Sequence, residues 1–476
     1  MFFWKEEQMK KNILTVLFIF LFLFKAGPVF SGDLADKALL EILESKGFLT
    51  EKEVREVKTI LNAEQKNEKR QENKGVEVVY DEGLRIRSKD KKTFTTRIGG
   101  RFETDLLVFS DHYPVDNDFD IRRARFFLTG RFNELFSYKF EAELEGGGND
   151  RLVDAYVDFD HYSFFKIRVG QFKEPFSFET YSSDRNIPFN ELSMISCLVP
   201  SRDVGVMIHG NVWKDFFNYG IGVFNGDGRD ASRRDQKDEK EITGRLVVRP
   251  FRHWGPWFLD GLHFGVSWSR ARLDTSDFNL KIKTPARTTF FTVQARAKFH
   301  ITQEVDELER TGFEMVYAYG PMLLMGEYIN SEYSGVKLAD GYDFDFELDG
   351  WYVGVLFMLT GERPKIKGGR FQKIKPRHDF SAGKRGWGAL GLVFRYQEFE
   401  ADEIVYRALV YEGYSIRKAK AFTFGLNWYL TRMVRLSVNY SRTKLDAPLF
   451  MGTHWKGYTY YEDVEHAWLT RLQFEF

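Results

Sequence analysis

Apolar and polar residues alternate one for one along most of this chain. Ile98, Gly100, Phe102, Thr104 and Leu106 interleave with Arg97, Gly99, Arg101, Glu103 and Asp105, and Trp468, Thr470, Leu472, Phe474 and Phe476 interleave with Leu469, Arg471, Gln473 and Glu475. Successive side chains of a strand point to opposite faces, so a period of two predicts strands with one apolar and one charged face. Sixteen strands are predicted, near residues 98–108, 121–132, 136–145, 152–159, 165–171, 204–210, 217–224, 242–250, 262–269, 311–319, 322–330, 350–359, 387–397, 421–430, 433–441 and 467–476. A seventeenth segment, Phe290 to His300, alternates equally well. Both ends of an antiparallel barrel lie on one side only when the strand number is even, so parity assigns this segment to the long connection after Ser269. Parity also brings the tight links Asn133-Glu134-Leu135, Gly320-Pro321 and Thr431-Arg432 to one end, the periplasmic one if the strands cross a membrane.

A soluble sandwich shows the same alternation with its apolar face inward, so other features must choose between them. No run of 18 or more apolar residues occurs past the N-terminal region, which leaves strands as the only spanning elements. The mean hydropathy of −0.39 fits a barrel, because each lipid-facing residue is matched by a lumen-facing one. Aromatic residues, with 47 Phe among them, gather at strand ends where an interfacial girdle belongs, and the last strand finishes on Phe476. Lys10 and Lys11 precede an apolar run from Ile13 to Phe24, and Val29-Phe30-Ser31 suits a signal peptidase, so residues 1–31 read as a secretory leader. Removing them takes away four Lys and two Glu and leaves a net charge of −2. Residues 32–75 differ again. Leu39, Ile42, Leu43, Val54, Val57, Ile60 and Leu61 recur at helical spacing, and Thr50 with Glu53 forms a capping box, which predicts a periplasmic helical hairpin or short coiled coil. The barrel domain then covers 76–476. The single Cys197 excludes an intramolecular disulfide and reads as a small packed side chain.

Several short motifs in order, Asp120-Ile-Arg-Arg-Ala-Arg-Phe126, Asp154-Ala-Tyr156, Val169-Gly-Gln-Phe-Lys-Glu-Pro-Phe176, Phe224-Asn-Gly-Asp-Gly228, Leu359-Thr-Gly-Glu362 and Gly425-Leu-Asn-Trp-Tyr-Leu430, resemble the phosphate-selective porins, the porin O and P family. The resemblance runs from about residue 80 to the end. It implies an all-β, transmembrane, antiparallel up-and-down barrel of sixteen strands in a bacterial outer membrane. It also implies a homotrimer, and a lumen narrowed by inward loops that carry Arg and Lys. The expected solutes are inorganic anions of the phosphate class, with outer-membrane lipid around the barrel.

Charged side chains at a constriction set the selectivity of such a channel. On the second strand Arg123, Arg125 and Arg131 share a face, and an Arg facing lipid at mid-membrane costs about 2 to 4 kcal/mol, so the row must face the lumen. A three-residue turn at 133–135 sets Arg125 opposite Glu143 and Arg123 opposite Glu145, so the row serves either a passing anion or the wall's own charge balance. Alternation puts Arg122 on the opposite face, yet it matches the first Arg of the family's paired motif. Asp154 matches the family's Asp-Ala-Tyr motif and is expected beside that pair. Gln294, Arg296, Lys298 and His300 form a ladder of donors at spacing two, opposite apolar Val293, Ala295, Ala297 and Phe299. Guanidinium groups engage phosphate oxygens bidentately. Glu362 to Gly386 holds nine Lys or Arg against two acids, and Arg363, Lys365, Lys367 and Arg370 read as part of a basic vestibule on the periplasmic side. The third candidate constriction is the connection from Phe172 to Asp203, with Lys173, Arg185 and Arg202.

Two other readings share this pattern: a general or sugar-selective porin with aromatic tracks at Tyr156, Phe172, Phe176 and Phe178, and a structural tether working through the helices. An enzyme is not expected. The nine His lack metal-ligand spacing, and Glu141, Glu143 and Glu145 are explained by the facing Arg row. No metal, cofactor or nucleic-acid partner is expected.

Overall fold

A computed structural model describes residues 75–110, 117–146, 151–226, 240–273, 279–294, 302–338, 341–383, 386–410, 414–453 and 459–476. The leader expected over 1–31, the helices expected between Asp33 and Gln71, and Arg296, Lys298 and His300 lie outside the described residues.

Among the described residues sixteen antiparallel strands close on themselves. They are β1 (Phe94–Phe109), β2 (Asp118–Phe132), β3 (Phe136–Glu143), β4 (Leu152–Phe159), β5 (Lys166–Lys173), β6 (Arg202–Val212), β7 (Phe217–Phe224), β8 (Glu241–Val248), β9 (Leu262–Arg272), β10 (Glu307–Tyr319), β11 (Met322–Leu338), β12 (Asp343–Met358), β13 (Ala389–Ala401), β14 (Lys418–Tyr429), β15 (Val434–Thr453) and β16 (Thr459–Glu475). Each pairs with its neighbours in sequence, and β16 pairs with β1 from Ala467 opposite Phe109 to Glu475 opposite Arg101. A hairpin of Val76–Tyr80 and Leu84–Ser88 continues this seam, with Leu84 opposite Ile98 just beyond the end of β16. Phe290 is not in the wall. Thr289–Gln294 pairs with Asn279–Lys283 in a separate two-stranded sheet inside the connection between β9 and β10.

The direction of the alternation excludes a soluble sandwich. On β16 the charged Arg471 and Glu475 are 2% and 3% exposed, whereas Trp468 and Leu472 are 53% and 42% exposed. Polar groups therefore face the interior and apolar ones face out, as a lipid environment requires. Short links at 133–135, 213–216, 320–321 and 430–433 lie at one end. At 133–135 Asn133 and Glu134 both take positive φ, and the Leu135 N–H donates to the Phe132 carbonyl at 3.0 Å.

The lumen is divided by chemistry. From β1 to β9 the inward residues are mostly charged, polar or glycine, but on β10 to β13 they include Val316, Leu323, Met325, Ile329, Leu348, Leu356, Val393 and Phe399, all buried. These strands are apolar on both faces, which explains runs such as Met322-Leu-Leu-Met325. The inner apolar face is covered by two inserted segments. The connection after β5 packs Phe176, Phe178, Phe189, Met194 and Leu198 on it, and the 279–294 hairpin adds Phe290, Phe291 and Val293, with Phe290 edge-on to Phe399 and Phe291 tilted against it. Each such side chain contributes about 1.5 to 3 kcal/mol. The single turn Met194–Cys197 gives Met194 and Ile195 to this core and leaves Cys197 exposed, contrary to the packed position expected.

Candidate functional site

The connection after β5 crosses the lumen because the wall supplies partners for its backbone. Ser177 caps a one-turn helix, α1 (Phe178–Tyr181), and the Phe178 and Glu179 N–H groups donate to Glu327 of β11 at 2.8 Å each. Arg435 and Asn427 donate to the Ile187 and Pro188 carbonyls at 2.9 and 2.7 Å, and the Met194 N–H donates to Gln397 at 2.9 Å. Burial pushes the Glu179 carboxyl above its usual range, although Arg395 donates to it at 2.9 Å and Ser193 also binds it. Unpaired backbone groups are costly inside a barrel, so this set of bonds defines where the segment rests.

This segment carries two carboxylates into the Arg row. Asp184 accepts both Nη atoms of Arg101 at 3.1 Å and lies 3.3 Å from Arg123 and 3.4 Å from Arg125. Glu191 accepts from Arg122 at 3.2 Å and from Arg287 and Arg471 at 2.8 Å each. Burial works against both ionised acids, but the surrounding guanidiniums outweigh it and hold them well below the ordinary carboxylate range.

Three expectations change here. Arg122 does not face outward. The β1–β2 register slips between Glu103 and Thr104, so Arg123 opposes Glu103 while Ile121 opposes Thr104, and Arg122 is the extra residue of a bulge that reaches Glu191. Arg123 pairs with Glu103 at 2.9 Å, not with Glu145, because the β2–β3 ladder ends at Arg125 opposite Glu143. Asp154 is not beside the paired Arg residues. It stands opposite Glu141 in the β3–β4 ladder and accepts from Arg202 Nε at 2.8 Å and from Lys139, on the side of the wall toward β5 and β6. Arg125 itself meets Glu143 at 2.7 Å and Glu141 at 3.2 Å. The Arg row is therefore spent on carboxylates of the wall and the inserted segment.

Two cavities lie along the β3–β8 wall, where charged residues remain uncovered. One, of about 260 Å³, is lined by Lys166, Arg168, His209, Arg245, Lys367 and Arg370, and its one carboxylate among the described residues is Asp158. The other, of about 220 Å³, is lined by Lys139, Arg168, Lys173, Arg202 and Arg370 together with Glu141, Asp154 and Asp184. Arg168, Tyr181, Arg370 and Gln372 border both. Arg168 donates to Asp158 at 2.6 Å and lies 4.1 Å above the Tyr156 ring, while Arg245 is held bidentately by Glu314 at 2.6 and 2.9 Å. Among the described residues no carboxylate lies within ion-pair distance of Lys166, Lys367 or Arg370. Arg370 instead sits 3.9 Å over the Tyr181 ring. Burial would raise the Tyr181 phenol, but Arg370, Arg168 and Arg245 around it lower it below the ordinary tyrosine value.

Lys367 and Arg370 reach this place on the connection between β12 and β13, which enters from the end opposite the connection after β5. Its tip is a two-residue hairpin between Ile366–Lys367 and Arg370–Phe371, turning on Gly368 and Gly369 at φ +57° and +63°. Two consecutive positive φ values favour Gly, and Gly-Gly between short extended segments signals such a turn. The Gly369 carbonyl accepts from Arg245 at 2.9 Å, and the Phe371 N–H donates to Ser182 at 3.0 Å, so the two inserted segments meet. Of the four basic residues expected to act in this connection, Lys367 borders the first cavity and Arg370 borders both. Arg363 and Lys365 are exposed and border neither cavity. Lys166, Arg168 and Arg245 were missed in the sequence. Lys166 and Arg168 share a strand face at spacing two, the same signal that exposes the Arg row.

A family model described as phosphate-selective porin O and P matches residues 97–448. Porin O of Pseudomonas aeruginosa is 25% identical over 431 residues, which cover 83% of this chain and 91% of that protein. Among solved structures, the outer-membrane expressed OmpT of Vibrio cholerae aligns at 12% identity and a TM-score of 0.47, over 84% of this chain and 100% of that one. The anion-selective porin from Comamonas acidovorans aligns at 12% identity and 0.44, over 80% and 100%.

Proposed function

This chain belongs to the phosphate-selective porin O and P family, and from that premise we propose that it is an outer-membrane channel passing small inorganic anions of the phosphate class through the cavities beside β3–β8. One observation carries the reading: Lys166, Lys367 and Arg370 border the passage without carboxylate partners among the described residues, next to Arg168 and Arg245. A net excess of positive groups in a narrow, partly dehydrated zone attracts anions although the protein as a whole is near neutral. Several weak sites in sequence let an anion move on without being trapped. On this reading the short links face the periplasm, residues 32–75 lie on that side too, and the barrel assembles as a trimer. Crosslinking that yields only monomer overturns the assembly.

The test is the reversal potential of purified protein in a planar bilayer under a salt gradient. The wild type is expected to be anion-selective, and Lys166→Glu with Lys367→Glu and Arg370→Glu is expected to abolish or reverse that preference. Selectivity is expected to shrink as salt rises from 0.1 to 1 M, where the screening length falls from about 10 to about 3 Å. A reversal potential untouched by the triple change overturns the proposal. The sugar-channel alternative finds less support, since Phe172, Phe176 and Phe178 are all buried and Arg168 covers Tyr156.

A further inference from the structure

The outer wall carries a second basic feature, unrelated to the passage. Toward the end bearing the long connections, the outward residues of β14, β15 and β16 form rows set by the register. Leu426, Val438 and Thr470 make one row, Phe424, Tyr440 and Trp468 the next, then Phe422, Arg442 and His466, and last Lys420, Lys444 and Val464. The intervening Ala419, Ala421, Thr443, Glu465 and Ala467 are buried toward the lumen, which settles the orientation of the rows. Along the strands, at about 7 Å per row, the surface therefore changes from aliphatic to aromatic to cationic.

The aromatic row marks a membrane interface. Tyr440 and Trp468 rings lie 5.0 Å apart, the Tyr440 hydroxyl meets His466 Nδ1 at 2.7 Å, and Trp468 is half exposed. Just beyond it the cations divide into paired and unpaired. Lys420 is taken up by Glu398 at 3.1 Å and Lys418 by Glu400, whereas among the described residues Arg442 and Lys444 have no carboxylate within ion-pair distance. Lys420 and Lys444 are directly opposed across the ladder, and because Glu398 takes up Lys420, the charges left over in these rows are those of Lys444 and Arg442. Lipid headgroups sit at this depth, and a guanidinium with a neighbouring ammonium suits a phosphate monoester.

We propose that Arg442 and Lys444, above the Tyr440–Trp468 pair, form a site on the outer wall for the phosphate of an anionic lipid in the leaflet at the long-connection end. The acyl chains follow the apolar rows below, and the rings lie at the headgroup boundary. Native mass spectrometry of the full-length, detergent-purified protein tests this with diphosphorylated lipid A and its dephosphorylated form as probes. The wild type is expected to retain the phosphorylated lipid preferentially. Arg442→Gln with Lys444→Gln is expected to weaken retention about fivefold per charge. The charge-conserving Arg442→Lys with Lys444→Arg retains it, and reversal potentials stay unchanged in both variants because the site is outside the lumen. Equal retention of the two lipids, or an undiminished double Gln variant, overturns the proposal. So does release of the lipid by millimolar inorganic phosphate, which identifies a free-anion site, or loss of oligomer with lipid retention intact, which identifies a contact between copies.

Discussion

Asp184 shows how one side chain governs a row of opposite charges. Three guanidiniums, of Arg101, Arg123 and Arg125, converge on it within 3.4 Å, and the carboxylate is largely shielded from solvent. Removing one member of a buried ionic cluster leaves the others uncompensated, at a cost of about 3 to 5 kcal/mol. Asp184→Ala is therefore expected to lower the temperature at which the folded barrel unfolds on a heat-modified gel. In the bilayer it should raise anion preference, since positive charge is released beside the passage. The acids also set an acid limit. Asp184 and Glu191 sit below their usual range when folded, so their pairing stabilises the protein above the unfolded values of about 4 and is lost as pH falls through and below them. Heat resistance is expected to hold from pH 7 to about 5 and to decline below about 4. An Asp184→Asn variant whose acid decline matches the wild type would remove Asp184 from this account.

The two inserted segments act as elements, each held differently. The connection after β5 rests on an apolar wall and a network around Glu327, Gln397 and Arg435, so it is a fixed partition of the lumen. The connection between β12 and β13 is a short hairpin whose tip depends on two glycines at positive φ and on Arg245. Replacing residues 364–376 by a short Gly-Ser link is expected to raise single-channel conductance and weaken anion selectivity, while the barrel stays folded. Gly369→Val puts a β-branched residue at φ +63°, at a cost of about 1 to 2 kcal/mol, and crowds Arg245 and Val247. It is expected to reproduce part of that effect by displacing Arg370. Conductance and selectivity that stay at wild-type values in the shortened protein would show that this hairpin does not narrow the channel.

At the scale of the whole molecule, the barrel depends on one seam. Gly100 donates to the Phe476 carbonyl at 2.9 Å, and the Phe476 N–H donates to the Gly100 carbonyl at 3.1 Å. A Cβ on Gly100 would stand 2.5 Å from the Phe476 ring, and one on Gly99 would stand 2.4 Å from its carbonyl oxygen. Gly99→Val, whose Cβ meets the Phe476 backbone oxygen, is therefore expected to block closure, leaving no heat-modifiable folded band. Gly244→Ala has its nearest neighbour at 3.9 Å and should fold normally. Equal folding of both variants would mean the seam tolerates displacement, and the closing contact would not limit assembly.

Much of this architecture is local information. Alternation and parity depend only on neighbouring residues and on the closure of an even sheet, so the sixteen strands, the tight links and the exclusion of Phe290 from the wall could be read along the chain. What could not be read is what depends on where distant segments meet. A single extra residue at Arg122 reverses the facing of a side chain, and a bulge is defined only against the partner strand. Asp184 and Glu191 reach the Arg row because a connection after β5 finds an apolar wall on β10–β13, more than a hundred residues later. Lys367 and Arg370 became lining residues while Arg363 and Lys365 did not, because the Gly-Gly turn carries only the tip of a basic segment to Arg245. Composition says how many charges a chain holds. Only the tertiary structure decides which are neutralised, because burial and pairing strengthen or cancel a charge according to partners that sequence separation does not reveal.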